Sequence, residues 1–187
     1  MRGLPILIAS AALLSLTIVA TAQETVTYYG FSFPPSIDGM TRGKVTEFEK
    51  THPGIGYGIA YAGESTRIDI FVYDLGRKSV SWDVFSKDQK DEFDASVRTV
   101  HLAKQRGIYR NVEEREEFET PAVKNPFFRC KAFSIERGEG RIEGSVMCLG
   151  ARNDKFFKTR ITFSSPVQNI ADRSDRIMRE ISRATKF

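Results

Sequence analysis

The sequence predicts an α+β fold: an antiparallel sheet of about six or seven strands packed by two amphipathic helices, with one disulfide. Three observations carry this expectation. Short segments of alternating polar and apolar residues recur along the 187-residue chain. Two stretches, 86–106 and 165–185, repeat their apolar residues at helical spacing. Two cysteines, Cys130 and Cys148, lie equidistant from Glu139 in a segment that reads as a hairpin.

Residues 1–22 read as a secretory signal peptide. Arg2 supplies a positive start, Leu4 through Ala20 are almost wholly apolar, and Ala20-Thr21-Ala22 offers the small-x-small cleavage pattern. Residues 23–187 then form one α+β domain, large enough to bury a core. A strand is expected over 23–36, closing on Pro34-Pro35. Three short strands follow at about 43–49, 56–61 and 67–73, divided by His52-Pro53-Gly54 and Ala62-Gly63-Glu64-Ser65.

The first helix opens at Ser86, whose hydroxyl and the Gln89 side chain fit a capping box, and ends before Gly107. Strands are expected over 107–119, 127–135, 142–149 and 155–163. In the hairpin about Glu139, the cysteines face each other on a side that also carries Phe128, Ala132 and Val146. That register puts them within disulfide reach, as a structural staple. The second helix is expected to be capped by Ser165 with Pro166 in its first position. Its outer side carries Arg173, Arg176, Arg179, Arg183 and Lys186.

Net charge is +4, and the leader contributes only Arg2 to it, too balanced a surface to point to nucleic acid. A cysteine pair in an exported chain is most simply a disulfide. His52 and His101 are the two histidines, and neither belongs to a triad motif or a metal-ligand spacing. The acids Glu113, Glu114, Glu116, Glu117 and Glu119 read as a charged, solvated edge strand, with Glu113 and Glu117 on one face and Glu114 and Glu116 on the other. Gly54-Ile55-Gly56-Tyr57-Gly58 precedes a strand rather than a helix, so it reads as a place of close backbone approach and not as a phosphate cradle. Tyr28, Tyr29, Phe31 and Phe33 read as core before ligand groove. No catalytic, cofactor-binding or metal-binding residue is assigned, and no cofactor is expected.

The Gly-x-Gly strand ending in Tyr61, followed by Ile70-Phe71-Val72-Tyr73-Asp74-Leu75-Gly76, resembles a pattern in uncharacterised exported bacterial proteins. The resemblance continues through Phe157-Lys158-Thr159-Arg160 and the last helix. The order of elements is also similar to the PsbP-like fold of the photosystem II extrinsic subunit, a resemblance of architecture that implies no catalytic residue.

The expectation is therefore a periplasmic or secreted, non-enzymatic binding or accessory protein. Its partner would be a protein or a cell-envelope component, with an anionic surface open to Arg173, Arg176, Arg179 and Arg183. The alternative is an envelope hydrolase whose site is assembled only in three dimensions, from residues such as His52, Asp69, Asp74 and Arg160.

Overall fold

The computed structural model describes residues 24–187. The leader expected over 1–22 lies outside the described residues. In chain order the elements are β1 (Val26–Tyr28), β2 (Phe31–Phe33), β3 (Ser36–Ile37), β4 (Met40–Glu47), β5 (Tyr57–Ala62), β6 (Thr66–Tyr73), α1 (Lys87–Gln105), β7 (Asn111–Thr120), β8 (Phe128–Glu136), β9 (Ile142–Arg152), β10 (Lys155–Phe163) and α2 (Ile170–Thr185). Strands β3 to β10 form one antiparallel eight-stranded sheet in the order β3-β4-β5-β6-β10-β9-β8-β7, and β1-β2 form a separate hairpin. The α+β class, the antiparallel sheet, two helices and the disulfide match the expectation. The strand count is higher than six or seven.

The extra strands come from turns hidden inside apparent strands. The single strand expected over 23–36 folds back at Tyr29-Gly30, both with positive φ (+52° and +82°). Asp38-Gly39 does the same between β3 and β4, at +48° and +74°. Paired positive φ values are what a tight hairpin turn requires.

The β8–β9 register is the one expected, with Cys130 opposite Cys148, Ala132 opposite Val146 and Glu136 opposite Ile142. The cysteines are bonded, with Cα atoms 4.1 Å apart. Both sides of this hairpin are buried. Phe128, Cys130, Ala132, Val146 and Cys148 join the core beneath α2 and the β1–β2 hairpin. Phe133, Ile135, Met147 and Leu149 on the opposite face join Phe93 and Val100 of α1 in a second core. The molecule is thus a sheet with α1 on one face and α2 plus a small hairpin on the other.

The helices differ in how they bury themselves. α2 buries Ile170, Ser174, Ile177, Met178, Ile181 and Thr185. α1 buries only Gln89, Phe93, Ser96 and Val100, a stripe half polar, so it is not clearly amphipathic. Ser86 caps α1 by accepting from the Gln89 amide at 3.5 Å. The reciprocal half of the capping box is absent, because the Gln89 side chain donates to the Ser81 carbonyl at 2.9 Å instead. α2 does not begin at Ser165-Pro166. Residues 164–169 carry the chain off the end of β10, and the helix starts only where Ile170 is buried against Gly144.

The small hairpin is clamped onto the sheet by a buried arginine. Arg42, 5 % exposed, donates from its guanidinium to the Phe33 carbonyl and, at 2.6 Å, to the Glu24 carbonyl. Phe187 stacks among Phe31, Phe128 and Phe157, with ring centroids 5.9, 4.3 and 5.2 Å away. That packing ties the end of the described chain to the same core.

The bond encloses a separation of 18 residues. Replacing both cysteines by alanine should therefore cost about 3 kcal/mol in urea unfolding of oxidised protein. Unchanged stability would contradict the staple role.

Candidate functional site

Parity along the strands decides which side chains α1 must cover. Arg67, Asp69, Phe71 and Tyr73 of β6 and Phe156, Lys158, Arg160 and Thr162 of β10 are opposed pairwise and share the α1 face. α1 packs on β9 and β7, so Arg67, Asp69, Phe71, Arg160 and Thr162 lie beside the helix, while Tyr73 and Phe156 are buried in its core. The outer neighbours on β5, opposite Phe71, Asp69 and Arg67, are Gly58, Ala60 and Ala62. Such small residues leave the face open.

A groove results. Its mouth, about 600 Å³, is lined by Arg67, Asp69, Tyr109, Arg137, Glu143 and Arg160 among others. Past Arg67, Asp69 and Arg160 it runs on into a recess of about 380 Å³ against α1, where Phe71, Ser96, Val100, Met147 and Lys158 are found.

The charges in the groove are unevenly spent. Arg67 grips Asp69 with three hydrogen bonds of 2.7–3.1 Å. Glu143 is held by Arg137 at 2.6 Å and Arg141 at 3.5 Å. Arg160 donates its Nε to Ser145 at 3.1 Å and lies 5.5 Å from the Tyr109 ring centroid. Among the described residues it has no ion-pair partner, so its two terminal amino groups are free to bind an anion.

Deeper in, Lys158 lies 3.7 Å from Glu92 and donates to the Ser96 hydroxyl at 3.3 Å. The same Glu92 accepts from the Tyr73 hydroxyl at 2.5 Å. Burial lowers the Lys158 ammonium from its usual value, with Glu92 opposing that effect. Burial first, then the Glu92 charge, raises the Tyr73 phenol well above its usual value.

The residues singled out in the sequence separate. Asp69 and Arg160 meet in the groove. His52 lies exposed in the loop after β4, 2.9 Å from the Thr51 hydroxyl. Asp74 accepts from the Gly76 amide at 2.7 Å and pairs with Lys155 at 2.5 Å, which makes it a turn-builder.

The glycine motif also proves structural. Glu49 accepts from the Gly54 amide at 3.0 Å and the Gly56 amide at 2.9 Å, and the Gly54 carbonyl accepts from Asp74 and Leu75. A Cβ on Gly56 would sit 1.8 Å from the Val72 carbonyl oxygen. The Gly-x-Gly and Tyr-Asp-x-Gly segments are thus two halves of one latch.

His101 contacts Glu114 at 2.7 Å, and Glu114 also pairs with Lys131 at 2.9 Å; Lys131 and His101 lower its carboxyl. β7 is an edge strand, as expected, but its faces are not those expected. A bulge between Glu114 and Glu117 shifts the register, so both oppose α1-facing residues of β8, Phe133 and Lys131, while Glu113 opposes Ser134.

On α2, Arg179 pairs with Asp175 and Arg183 with Glu180, and Arg173 lies over the Phe163 ring. Arg173, Arg176 and Arg179 line a second cavity of about 540 Å³ beside Asp38, Glu64 and Glu180. That surface is mixed, not a basic stripe.

Sequence reasoning passed over the groove itself. The signal for it was present: two apolar-alternating strands each leave a polar face, Arg67 and Asp69 on one and Lys158 and Arg160 on the other. What was missing was that these strands are neighbours.

Among the described residues no helix is long and apolar enough to cross a membrane, and no group of three or more metal-ligating side chains converges. No family model matches the sequence, and no curated protein matches it. Among solved structures, the chain is similar to the solution structure of cyanobacterial PsbP (CyanoP) from Synechocystis sp. PCC 6803. The TM-score is 0.43 and the identity 13%, over 92% of this chain and 95% of that one.

A protonated Tyr73 stabilises the fold below pH 10, and that contribution is lost as pH rises toward its raised native value. Glu92→Gln removes the charge that adds to the rise. Its tyrosinate absorbance titration should show one tyrosine ionising at lower pH than in the parent, with a shallower alkaline loss of stability. Identical titrations would show that Glu92 does not govern Tyr73.

Proposed function

We propose that this is an exported, non-enzymatic binding or accessory protein, working in the periplasm or the medium, and that the groove beside α1 is its ligand-contacting surface. One observation carries this reading. Arg160 is held by Ser145 beside the Tyr109 ring and lines an open groove, yet among the described residues its terminal amino groups have no carboxylate partner. A guanidinium so placed is prepared to receive an anionic group from outside the chain.

The leader pattern and the paired cysteines support export. The partner is a protein or an envelope component bearing an acidic group, met by the groove in place of the α2 arginines.

An envelope hydrolase is the competing reading, favoured by Asp69 and Arg160 sharing one groove. Against it, Asp69 and Glu143, two of the three carboxylates that line the groove mouth, are already engaged by arginines, and Glu64 is exposed at its rim. A general acid or base needs a proton it can exchange with substrate.

The test is affinity capture from periplasmic extract with parent protein and with Arg160→Glu as matched baits. A stoichiometric partner retained by the parent and lost by the variant is expected. Equal retention by both baits, or turnover of envelope substrates that survives the charge reversal, would overturn the reading.

A further inference from the structure

The groove changes character along its length, and this narrows what can occupy it. Its mouth is polar and contains four arginines, Arg67, Arg137, Arg141 and Arg160, against three carboxylates, Glu64, Asp69 and Glu143. Four arginines against three carboxylates leave the mouth with one surplus positive charge, and Arg160 is the arginine among them with no ion pair among the described residues. A single surplus cation with a planar fork suits a monoanion such as a carboxylate.

The inner recess adds an apolar patch, with Phe71 half buried and Val100 and Met147 each 4 % exposed, among the polar Ser96, Thr99 and Lys158. Lys158 does not add a second cation for a ligand, since Glu92 is already its partner. Arg160 belongs to both compartments. Met147 sits directly across from it on β9, and Phe71 lies one residue pair further along β6. Successive side chains on one face of a strand are about 7 Å apart. Arg160 turns its guanidinium toward Ser145, away from Phe71, so the anion position lies more than one such step from Phe71, a span that an aliphatic chain of several carbons covers.

Resting on the groove reading above, we infer that the ligand of this protein is a carboxylate carried on a short apolar chain. The carboxylate forks onto Arg160, and the chain lies against Phe71, Val100 and Met147. A short fatty acid and the C-terminal residue of a peptide ending in an apolar side chain share this chemistry.

The experiment is calorimetric titration of disulfide-bonded protein recovered from the periplasm. The probes are octanoate and an N-acetylated dipeptide ending in leucine with a free carboxyl group. Their controls are octanamide and the same dipeptide amidated. At least one acid should bind, and its amide should bind about tenfold or more weaker, the loss of a charge-assisted hydrogen bond.

Arg160→Met should remove the preference for acid over amide, and Arg160→Lys should restore part of it. Phe71→Ser should weaken the acid while keeping that preference. The tighter of the two acids identifies the source of the carboxylate. Equal binding of acid and amide, no binding by either acid, or an unchanged preference in Arg160→Met would overturn the inference. If Arg160 still governs capture of a partner while neither acid binds, the ligand class is wrong and the groove reading stands. If Arg160→Glu leaves capture unchanged, the groove reading itself has failed.

Discussion

The pairing of Cys130 with Cys148 is the constraint on which the layout depends. Side chains alternate along a strand, so one fixed cross-strand pair assigns the residues of the unbulged strands β5, β6, β10, β9 and β8 to their faces. Thr159 lies opposite Cys148, and Ile70 lies opposite Thr159. That row turns toward α2. The next row, Met147, Arg160 and Asp69, must then turn toward α1. A slip of one residue would bury Arg160 beneath α2 and expose Phe157 and Ile161, an arrangement whose desolvation cost the core could not offset.

The two faces are finished differently, and the proposed function rests on the difference. The α2 face is closed along its length by a helix, a hairpin and a cluster of aromatic rings that includes Phe187. The α1 face is closed over β9, β8 and β7 and over the Tyr73–Phe156 end of β6 and β10. Over the rest of β6 and β10 it bears Arg67, Asp69, Lys158 and Arg160, with Gly58, Ala60 and Ala62 beyond them. Open, partly charged floor beside a helix wall is a common way for a rigid scaffold to present a binding site.

Much of the fold was legible before any coordinates. The hairpin register, the helix after Ser86 and the edge position of the acidic strand all followed from local rules of spacing and charge. The losses have physical causes. Tyr29 adopts positive φ, which its residue type does not announce, and Asp38-Gly39 is a favoured hairpin pair that follows a strand only two residues long. The bulge at Glu114–Glu117 inverts a face assignment that alternation alone could not question. Ser165-Pro166 is a sound helix start locally, but the chain needs those residues to leave β10. The groove escaped notice because it is made by the adjacency of β6 and β10, strands more than eighty residues apart in sequence, and no local pattern encodes which strands become neighbours.

The motif most suggestive of function has the plainest structural explanation. Gly54, Gly56, Asp74 and Gly76 hold two loops together through backbone contacts that tolerate no side chain at Gly56. The Gly-x-Gly and Tyr-Asp-x-Gly segments are thus a way of closing a loop, while the proposed site rests on Arg160, further along the chain on β10.

Arginine-selective labelling of native, oxidised protein, read residue by residue in a mass spectrometer, tests the arrangement most directly. Arg160 should be modified readily despite being half buried, faster than the carboxylate-gripped Arg67 and Arg137, while the buried clamp Arg42 stays unmodified. An Arg160 as unreactive as Arg42 would mean that the α1 face is closed and that no groove is there to be filled.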